Sequence, residues 1–333
     1  MSAAMIAAIV SHRFSTRFGP DIVAAARRDG IELELLALPR DPEARLDDIQ
    51  AARAEIAYFS SDVFPQFAKP FFSATRKAAG LKWLQVFNAG VDHPVFASIL
   101  ERGVRLTTSS GSAAEPIAQT AIAGMLYFAR GFPRWTASQR TRTWNPLRPD
   151  EFPRDLRGQT MVIYGVGKIG GEIARLARML GMRVIGVRRS AEKPEHVDEI
   201  HTPEKLAKLL PACDWLTLAC PLTRETRGSV SAAMLEKLPR GAHLINISRG
   251  EIIDEPALIG ALRSQHLGGA YLDVFAQEPL PADSPLWDMP NVLCSPHNAA
   301  ASAGNDARIN AIFLDNLGRW KRNEPLINEV TQL

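Results

Sequence analysis

The chain has 333 residues, of which 46% are hydrophobic and 23% charged, and its formal net charge is +3. This length predicts about two domains, and the composition is typical of a soluble globular protein. The small net charge gives no support for nucleic-acid binding, and no apolar run approaches the ~20 residues that a membrane helix needs. Three cysteines without metal-ligand spacing, Cys213, Cys220 and Cys294, indicate a reducing compartment, and we expect a cytoplasmic protein.

Strand-like and helix-like segments alternate over the first hundred residues. The apolar start "MSAAMIAAIV" lacks the basic region of a signal peptide, so we predict a first strand at about 5–10. The next predicted strands are "IELELLAL", "EIAYFS", "KWLQVF" and "VRLTT". This alternation predicts a parallel sheet with crossover helices.

A long apolar helix is predicted over about 113–130, followed by a Trp-, Arg- and Pro-rich loop over about 131–156. A second alternating series then begins, and the chain ends in a predicted helix that carries Ile309, Ile312, Phe313 and Leu317 at helical spacing. The strands of this second series are "TMVIYG", "RVIGV", "DWLTLAC", "HLINIS", "GAYLDVF" and "NVLCSP".

A glycine-rich turn joins the first strand and helix of the second series. Gly165, Gly167 and Gly170 form a G-x-G-x-x-G pattern after an apolar strand and before an amphipathic helix, with Gly181 as a predicted cap at the helix end. In dinucleotide-binding folds these glycines allow a tight turn, close approach of the pyrophosphate and close helix packing. The alternative is an ordinary strand-to-helix turn.

The end of the next strand indicates which dinucleotide is bound. An acidic residue that binds the ribose 2′-hydroxyl is expected about 20 residues after the first glycine, and Arg188 stands there, followed by Arg189 and Ser190. A guanidinium group suits a 2′-phosphate, which a carboxylate would repel. The sequence therefore predicts NADP, with NADPH preferred over NADH, unless both arginines are solvated loop charges.

Three polar residues follow strands of the second series. Arg249 follows "HLINIS", Glu278 comes after Asp273 in "GAYLDVFAQEPLP", and His297 follows "NVLCSP". Ligands of open α/β sheets bind beyond the carboxyl ends of strands, so these side chains are expected to converge. Reduction of a 2-oxo acid needs a cation that binds the substrate carboxylate and an acid that protonates the carbonyl oxygen. An arginine can be that cation, and a histidine held by a carboxylate can be that acid. Taken singly, each could be a surface or capping residue.

Several stretches together resemble the D-isomer-specific 2-hydroxyacid dehydrogenase family, and the Arg188–Arg189 pair resembles its NADPH-using glyoxylate/hydroxypyruvate reductase branch. The resemblance implies an α/β fold of two doubly wound parallel-sheet domains. A Rossmann cofactor domain over 105–300 would be inserted into a flavodoxin-like substrate domain over 1–104 and 301–333. The matching stretches are "GVGKIGGEIARLARMLGMRVIGV", "ACPLTRETRG", "LINISRGEIIDEPALIGAL", "GAYLDVFAQEPLP" and "SPHNAAAS".

The resemblance also implies roles for individual residues. Arg249 would bind substrate, His297 would be the general acid/base, and Glu278 would pair with His297. Homodimers formed through the cofactor domain are usual in the family, and no metal is implied. Besides Arg188, Arg189 and Ser190, the implied cofactor contacts are Gly165, Val166, Gly167, Lys168, Ile169, Gly170, Cys220, Pro221, Thr226, Ile247, Ser248, Arg249 and Asp273.

A second glycine turn, "VFNAGVDHP", matches the substrate loop of the family. The backbone N–H groups of Ala89, Gly90 and Val91 are expected to form an anion nest for the substrate carboxylate. We therefore expect an NADPH-preferring reductase of a small 2-oxo acid such as glyoxylate or hydroxypyruvate. The alternatives are an NAD-linked dehydrogenase of another D-2-hydroxy acid and a non-catalytic nucleotide-sensing protein. Trp144 is either a packing residue or part of a substrate site, possibly that of a second subunit.

Overall fold

The chain folds into two compact units, which a computed structural model describes over residues 5–91, 93–190 and 192–331. One unit, Met1–Ser112 with Ala303–Leu333, is formed by two segments, and we call it the split unit. The other, Ala113–Ser302, is continuous, and we call it the inserted unit. The boundaries expected from the sequence, after 104 and after 300, fall a few residues before these.

The split unit contains a six-stranded sheet in the order β13-β5-β4-β3-β1-β2. Its strands are parallel except for the edge strand β13, which pairs antiparallel with β5. The elements are β1 (Ile6–Val10), α1 (His12–Arg17), α2 (Gly19–Arg28), β2 (Leu33–Ala37), α3 (Asp48–Ala52), β3 (Ile56–Phe59), α4 (Ala68–Lys77), β4 (Trp83–Val86), α5 (Pro94–Glu101), β5 (Arg105–Thr107), α12 (Asn305–Lys321) and β13 (Glu329–Val330).

Helix α12 closes one face of this sheet, although it comes from the far end of the chain. The ring of Phe313 stacks on Tyr58 with centroids 4.5 Å apart and an interplanar angle of 4°, and it also lies 5.6 Å from Trp83. Ile309, Phe313 and Leu317 are buried at the helical spacing predicted from the sequence, whereas the predicted Ile312 is half-buried. These aromatic contacts make α12 part of the core of the split unit.

The inserted unit contains a seven-stranded, wholly parallel sheet in the order β12-β11-β10-β9-β6-β7-β8. The strand order reverses between β6 and β9, and ligands of doubly wound sheets bind beside such a reversal. The elements are α6 (Ala114–Ala129), α7 (Phe132–Arg140), β6 (Thr160–Tyr164), α8 (Lys168–Met179), β7 (Arg183–Val187), β8 (Glu199–His201), α9 (Leu206–Leu209), β9 (Trp215–Leu218), α10 (Ala232–Leu235), β10 (Ala242–Asn246), α11 (Glu255–Arg263), β11 (Leu267–Leu272) and β12 (Val292–Cys294).

The structure confirms the two-sheet α/β fold and corrects it in three places. The segment predicted to be a loop over 131–156 contains α7, which begins after Gly131 in the left-handed region and has Pro133 in its first turn. No residue of α7 is buried, so the sequence carries no apolar periodicity that would reveal the helix. The edge strands β8 and β13 were not predicted, because they are very short and partly charged.

Within the described residues, no helix combines the length and the apolar character needed to cross a membrane. In the same part of the chain, no group of three or more His, Cys, Asp or Glu side chains is arranged to hold a metal ion.

Candidate active site

The glycine-rich turn connects β6 to α8 at the reversal of strand order. Gly165 has a φ of +103°, and a Cβ there would lie 2.3 Å from the backbone nitrogen of Cys220. A Cβ at Gly170 would lie 2.0 Å from the carbonyl oxygen of Gly165. Both positions therefore exclude any larger residue, because the turn and the first turn of α8 pack directly on neighbouring backbone.

Gly167 differs from these two glycines, because a Cβ there would meet no atom within 4 Å. It is the N-cap residue of α8, so the first free N–H groups of that helix begin beside an open space. A helix N-terminus with open space beside a glycine fits a pyrophosphate group. Of the other residues in this turn, Val166 is buried, Ile169 is half-buried and Lys168 is exposed.

Arg188, Arg189 and Ser190 directly follow β7, at the same edge of the sheet as the glycine turn. The backbone N–H of Arg188 donates to the carbonyl of His201 at 2.9 Å, which fixes the start of this segment. Neither guanidinium group has a hydrogen-bond partner among the described residues. The Thr223 hydroxyl chiefly, and the Arg189 charge to a lesser degree, lower the pKa of the Glu225 carboxyl.

The loop after β9 is closed by hydrogen bonds of Thr226. Its hydroxyl donates to the carbonyl of Pro221 at 2.7 Å and accepts from the backbone N–H of Thr223 at 2.7 Å. The hydroxyl of Ser248 donates to the carbonyl of Cys220, which ties this loop to the end of β10. Ile247 and Ser248 are buried there, and burial raises the pKa of the Cys220 thiol to about 12.

Arg249 follows β10 and is half-buried. Its Nη1 atom donates to the carbonyl of Ser248 at 2.8 Å, and its own carbonyl accepts from the side chain of Asn246 at 3.0 Å. A Cβ at Gly250 would lie 1.9 Å from the carbonyl carbon of Phe275, so only glycine allows the segments after β10 and β11 to approach this closely. The segment that carries Arg249 is thereby held beside the segment that leads to Glu278.

Glu278 and His297 form a hydrogen-bonded pair. The Nδ1 atom of His297 lies 2.7 Å from Oε2 of Glu278, while Oε1 accepts from the backbone N–H of Phe275 at 3.1 Å. His297 has a φ of +51°, an uncommon value for a residue with a side chain. The pair is partly exposed, with side-chain exposures of 49% for His297 and 36% for Glu278. An imidazole held in this way can exchange a proton with a bound molecule through Nε2.

Asp273 holds the backbone of the turn that carries His297. Its buried carboxylate accepts from the backbone N–H groups of Asn298 at 2.8 Å and Ala299 at 3.1 Å. It also accepts from the Ser295 hydroxyl at 2.5 Å, and that hydroxyl lies 2.7 Å from the hydroxyl of Tyr271. Ser295 and Tyr271 were not predicted as site residues. The one sequence signal was the position of Ser295, two residues before His297.

In the split unit, the predicted substrate loop follows β4 at the carboxyl edge of the sheet. The N–H groups of Ala89, Gly90 and Val91 have no acceptor within the described residues, as an anion nest requires. The side chain of Asn88 donates to the carbonyl of Gly90 and holds the turn. Asp92 of the same stretch lies outside the described residues.

The family model for "D-isomer specific 2-hydroxyacid dehydrogenase, NAD binding domain" matches residues 122–299, which is more than half of the chain. The chain belongs to this dehydrogenase family. This 2-hydroxyacid dehydrogenase is 34% identical to a glyoxylate reductase of Korarchaeum cryptofilum, over 77% of either chain. It is 31% identical to a glyoxylate/hydroxypyruvate reductase B of Citrobacter koseri, over 84% of this chain and 91% of the other.

A solved structure extends the similarity to both units. A D-isomer specific 2-hydroxyacid dehydrogenase from Xanthobacter autotrophicus Py2, in complex with NADPH and MES, matches with a TM-score of 0.79. The two proteins are 30% identical, and the match covers 98% of that chain and 99% of this one. Other relatives are D-3-phosphoglycerate dehydrogenases, so the substrate differs within the family.

Proposed function

We propose that this dehydrogenase reduces a small 2-oxo acid of the glyoxylate or hydroxypyruvate type to the 2-hydroxy acid, with NADPH as the preferred cofactor. The observation that carries the proposal is the 2.7 Å contact between His297 and Glu278 at the strand ends of a dinucleotide-binding sheet. The glyoxylate and hydroxypyruvate reductases among its relatives support the choice of substrate.

NADPH, when bound, supplies the hydride. In the proposed mechanism, protonated His297 donates the Nε2 proton to the substrate oxygen, and Glu278 stabilises the imidazolium before this transfer. Arg249 binds the substrate carboxylate and polarises the carbonyl, for which its planar guanidinium is suited. In the split unit, the N–H groups of Ala89, Gly90 and Val91 would bind a substrate carboxylate. Asp273 acts by holding the turn that carries His297.

The proposed cofactor contacts lie along the carboxyl edge of the inserted sheet. The pyrophosphate would lie against the turn from Gly165 to Gly170, with the loop from Cys220 to Thr226 and residues 247–248 nearby. The 2′-phosphate would be bound by Arg188, Arg189 and Ser190. An arginine in place of a carboxylate directly after β7 supports NADPH over NADH, and the related structure from Xanthobacter autotrophicus was solved with NADPH.

We further propose that two copies pair through the inserted unit. Aromatic side chains that are large and exposed cluster in sequence from α7 to residue 152: Phe132 and Trp135 at 43% exposure, Phe152 at 61% and Trp144 at 95%. The rings of Phe132 and Trp135 lie 5.0 Å apart, and contiguous exposed apolar surface favours association. Trp144 would then be buried by the second copy, at its interface or its substrate site. A monomer in sedimentation-velocity runs at micromolar concentration would contradict this pairing.

The cysteines support a reducing compartment, and we propose the cytoplasm. Cys213, Cys220 and Cys294 are free thiols. Burial raises the pKa of the Cys213 thiol to about 12 and that of Cys294 to about 11, which keeps both protonated and unreactive.

The experiment that tests the proposed function is a panel of 2-oxo acids assayed with NADPH and with NADH. Glyoxylate or hydroxypyruvate should be reduced, with kcat/KM higher for NADPH, and His297→Ala should lower kcat by about 10²- to 10⁴-fold. An NADH preference would favour an NAD-linked dehydrogenase. Binding of NADPH without turnover of any 2-oxo acid would favour a nucleotide-sensing protein.

A further inference from the structure

A cavity of about 320 Å³ lies within the split unit, beyond the carboxyl ends of β1 and β3. Its lining residues come from the start of α1 and from the segments after β2 and β3: Ser11, His12, Arg13, Arg40, Asp62 and Phe67.

Two exposed guanidinium groups line the cavity, and most of their donors have no protein partner among the described residues. Arg13 has no hydrogen-bond or ion-pair partner among the described residues. Arg40 donates from Nε to Nε2 of His12 at 2.8 Å, and its terminal nitrogens have no partner in that part of the chain. An Arg side chain presents five donors in a fixed fork, so most of the donor capacity of this pair is available to a ligand.

The nearby carboxylates neutralise this pair only in part. The two oxygens of Asp62 accept from the hydroxyls of Ser11 at 2.6 Å and Ser60 at 2.7 Å. Asp306 lies in an adjoining cavity and is paired with Arg17 at 3.5 Å. The first cavity therefore has two cationic groups facing one carboxylate, and its donors favour an anion.

The cavity and the anion nest after β4 lie on the same edge of one sheet. Parallel strands β1, β3 and β4 are adjacent in that order, and all end at the carboxyl edge. Neighbouring strands are ~4.8 Å apart, so the ends of β1 and β4 are separated by about 10 Å. The long side chains of Arg13 and Arg40 can span much of this distance towards a molecule held at the nest.

We propose that Arg13 and Arg40 bind a second anionic group of the substrate, so that the preferred substrates are 2-oxo acids with a further carboxylate or other oxyanion beyond the carbonyl. This inference rests on the proposed function, because the nest is assigned to the first carboxylate there. Glyoxylate would then be a minimal substrate that leaves the cavity unused.

The test compares substrates of equal chain length that differ in the distal charge. With NADPH, kcat/KM for oxaloacetate should exceed that for 2-oxobutyrate by at least about tenfold, the factor that one charge-assisted hydrogen bond provides. Arg13→Met and Arg40→Met should each lower this ratio about tenfold, and the double variant should abolish the preference. 3-Sulfopyruvate and 3-phosphohydroxypyruvate in the same assay distinguish a carboxylate from a larger oxyanion.

Arg45→Met is the matched control, since it removes an exposed arginine of the same unit outside the cavity and should leave the ratio unchanged. Turnover of glyoxylate with no preference for any distal anion would overturn the subsite and leave the proposed function standing. If no 2-oxo acid is reduced, the proposed function fails. Calorimetric titration with oxaloacetate then tests separately whether Arg13 and Arg40 bind an anion. Equal binding by wild type and the Arg13→Met/Arg40→Met variant would then overturn it.

Discussion

The imidazole of His297 and the carboxylate of Glu278 are joined by a 2.7 Å hydrogen bond at Nδ1. Glu278→Gln keeps the shape of the side chain and removes its charge. A charge-assisted hydrogen bond contributes about 1.5–3 kcal/mol, so kcat/KM for reduction should fall roughly ten- to hundredfold. Initial rates at saturating NADPH, with Glu236→Gln as control, measure this loss. An unchanged kcat/KM in Glu278→Gln would demote Glu278 to a structural residue.

Arg249→Lys should keep the positive charge and still lower kcat/KM about a hundredfold or more, a loss of ~2.7 kcal/mol. Lysine cannot reproduce the planar fork that contacts two oxygens of one substrate. NADPH affinity, followed by nicotinamide fluorescence, should change little, because the proposed phosphate contacts lie elsewhere. Near wild-type turnover by this variant would exclude the proposed role of Arg249.

Arg188→Ala should weaken NADPH and leave NADH nearly unchanged. Loss of one charge-assisted contact to a 2′-phosphate, about 1.5–3 kcal/mol, corresponds to a roughly ten- to hundredfold higher Kd for NADPH. Arg240→Ala is a suitable control, because Arg240 is exposed and precedes β10 at the opposite edge of the sheet. Titrations of both cofactors decide the question, and equal losses for NADPH and NADH would contradict binding of the 2′-phosphate.

Ser295→Ala removes the hydroxyl that donates to Asp273 at 2.5 Å and should lower kcat about tenfold. The turn that carries His297 would then be held by fewer hydrogen bonds, while the backbone donors of Asn298 and Ala299 remain. Ser295→Thr keeps the hydroxyl and should restore most of the rate. Tyr271→Phe removes only the outer member of this chain and should have a smaller effect. If Ser295→Ala lowered the melting temperature without changing kcat, Ser295 would have no positioning role.

His243 is the source of a predicted pH dependence of stability. Its ring stacks on Trp215 at 4.3 Å and lies 5.7 Å from Phe128. Burial lowers the pKa of His243 to about 4, with Asp214 opposing the shift. Because the unfolded chain binds this proton near pH 6.5 and the folded chain does not, stability should fall as pH drops from about 6.5 towards 4. At 1.36 kcal/mol per pH unit, the full effect is about 3 kcal/mol.

His243→Phe retains an aromatic ring and removes the titrating group. Urea unfolding of wild type and variant at pH 7, 5.5 and 4.5 isolates the contribution of His243, because the carboxylates titrate in both proteins. The free energy of unfolding of the variant should depend less on pH over this range. Parallel pH dependences would show that His243 is protonated at no cost in the folded state.

The sequence was informative wherever backbone geometry or burial dictates residue type. The turn from Gly165 to Gly170 was predictable because only glycine fits there, and the buried strands were predictable because both faces are apolar. Helix α7 was missed because its exposed surface leaves no apolar period. The contact between Tyr271 and Ser295 could not be predicted for a different reason. It joins side chains of two neighbouring segments, and no local sequence pattern specifies how those side chains are oriented.

The stacking of Phe313 on Tyr58 has a consequence for the order of events during synthesis. The continuous segment Ala113–Ser302 leaves the ribosome with every strand of its own sheet, and it can fold as soon as it emerges. The first 112 residues leave earlier and yet lack α12, so the apolar face around Tyr58 and Trp83 stays uncovered until the last part of the chain has been made. The unit whose first segment is translated first is therefore the unit that is completed last.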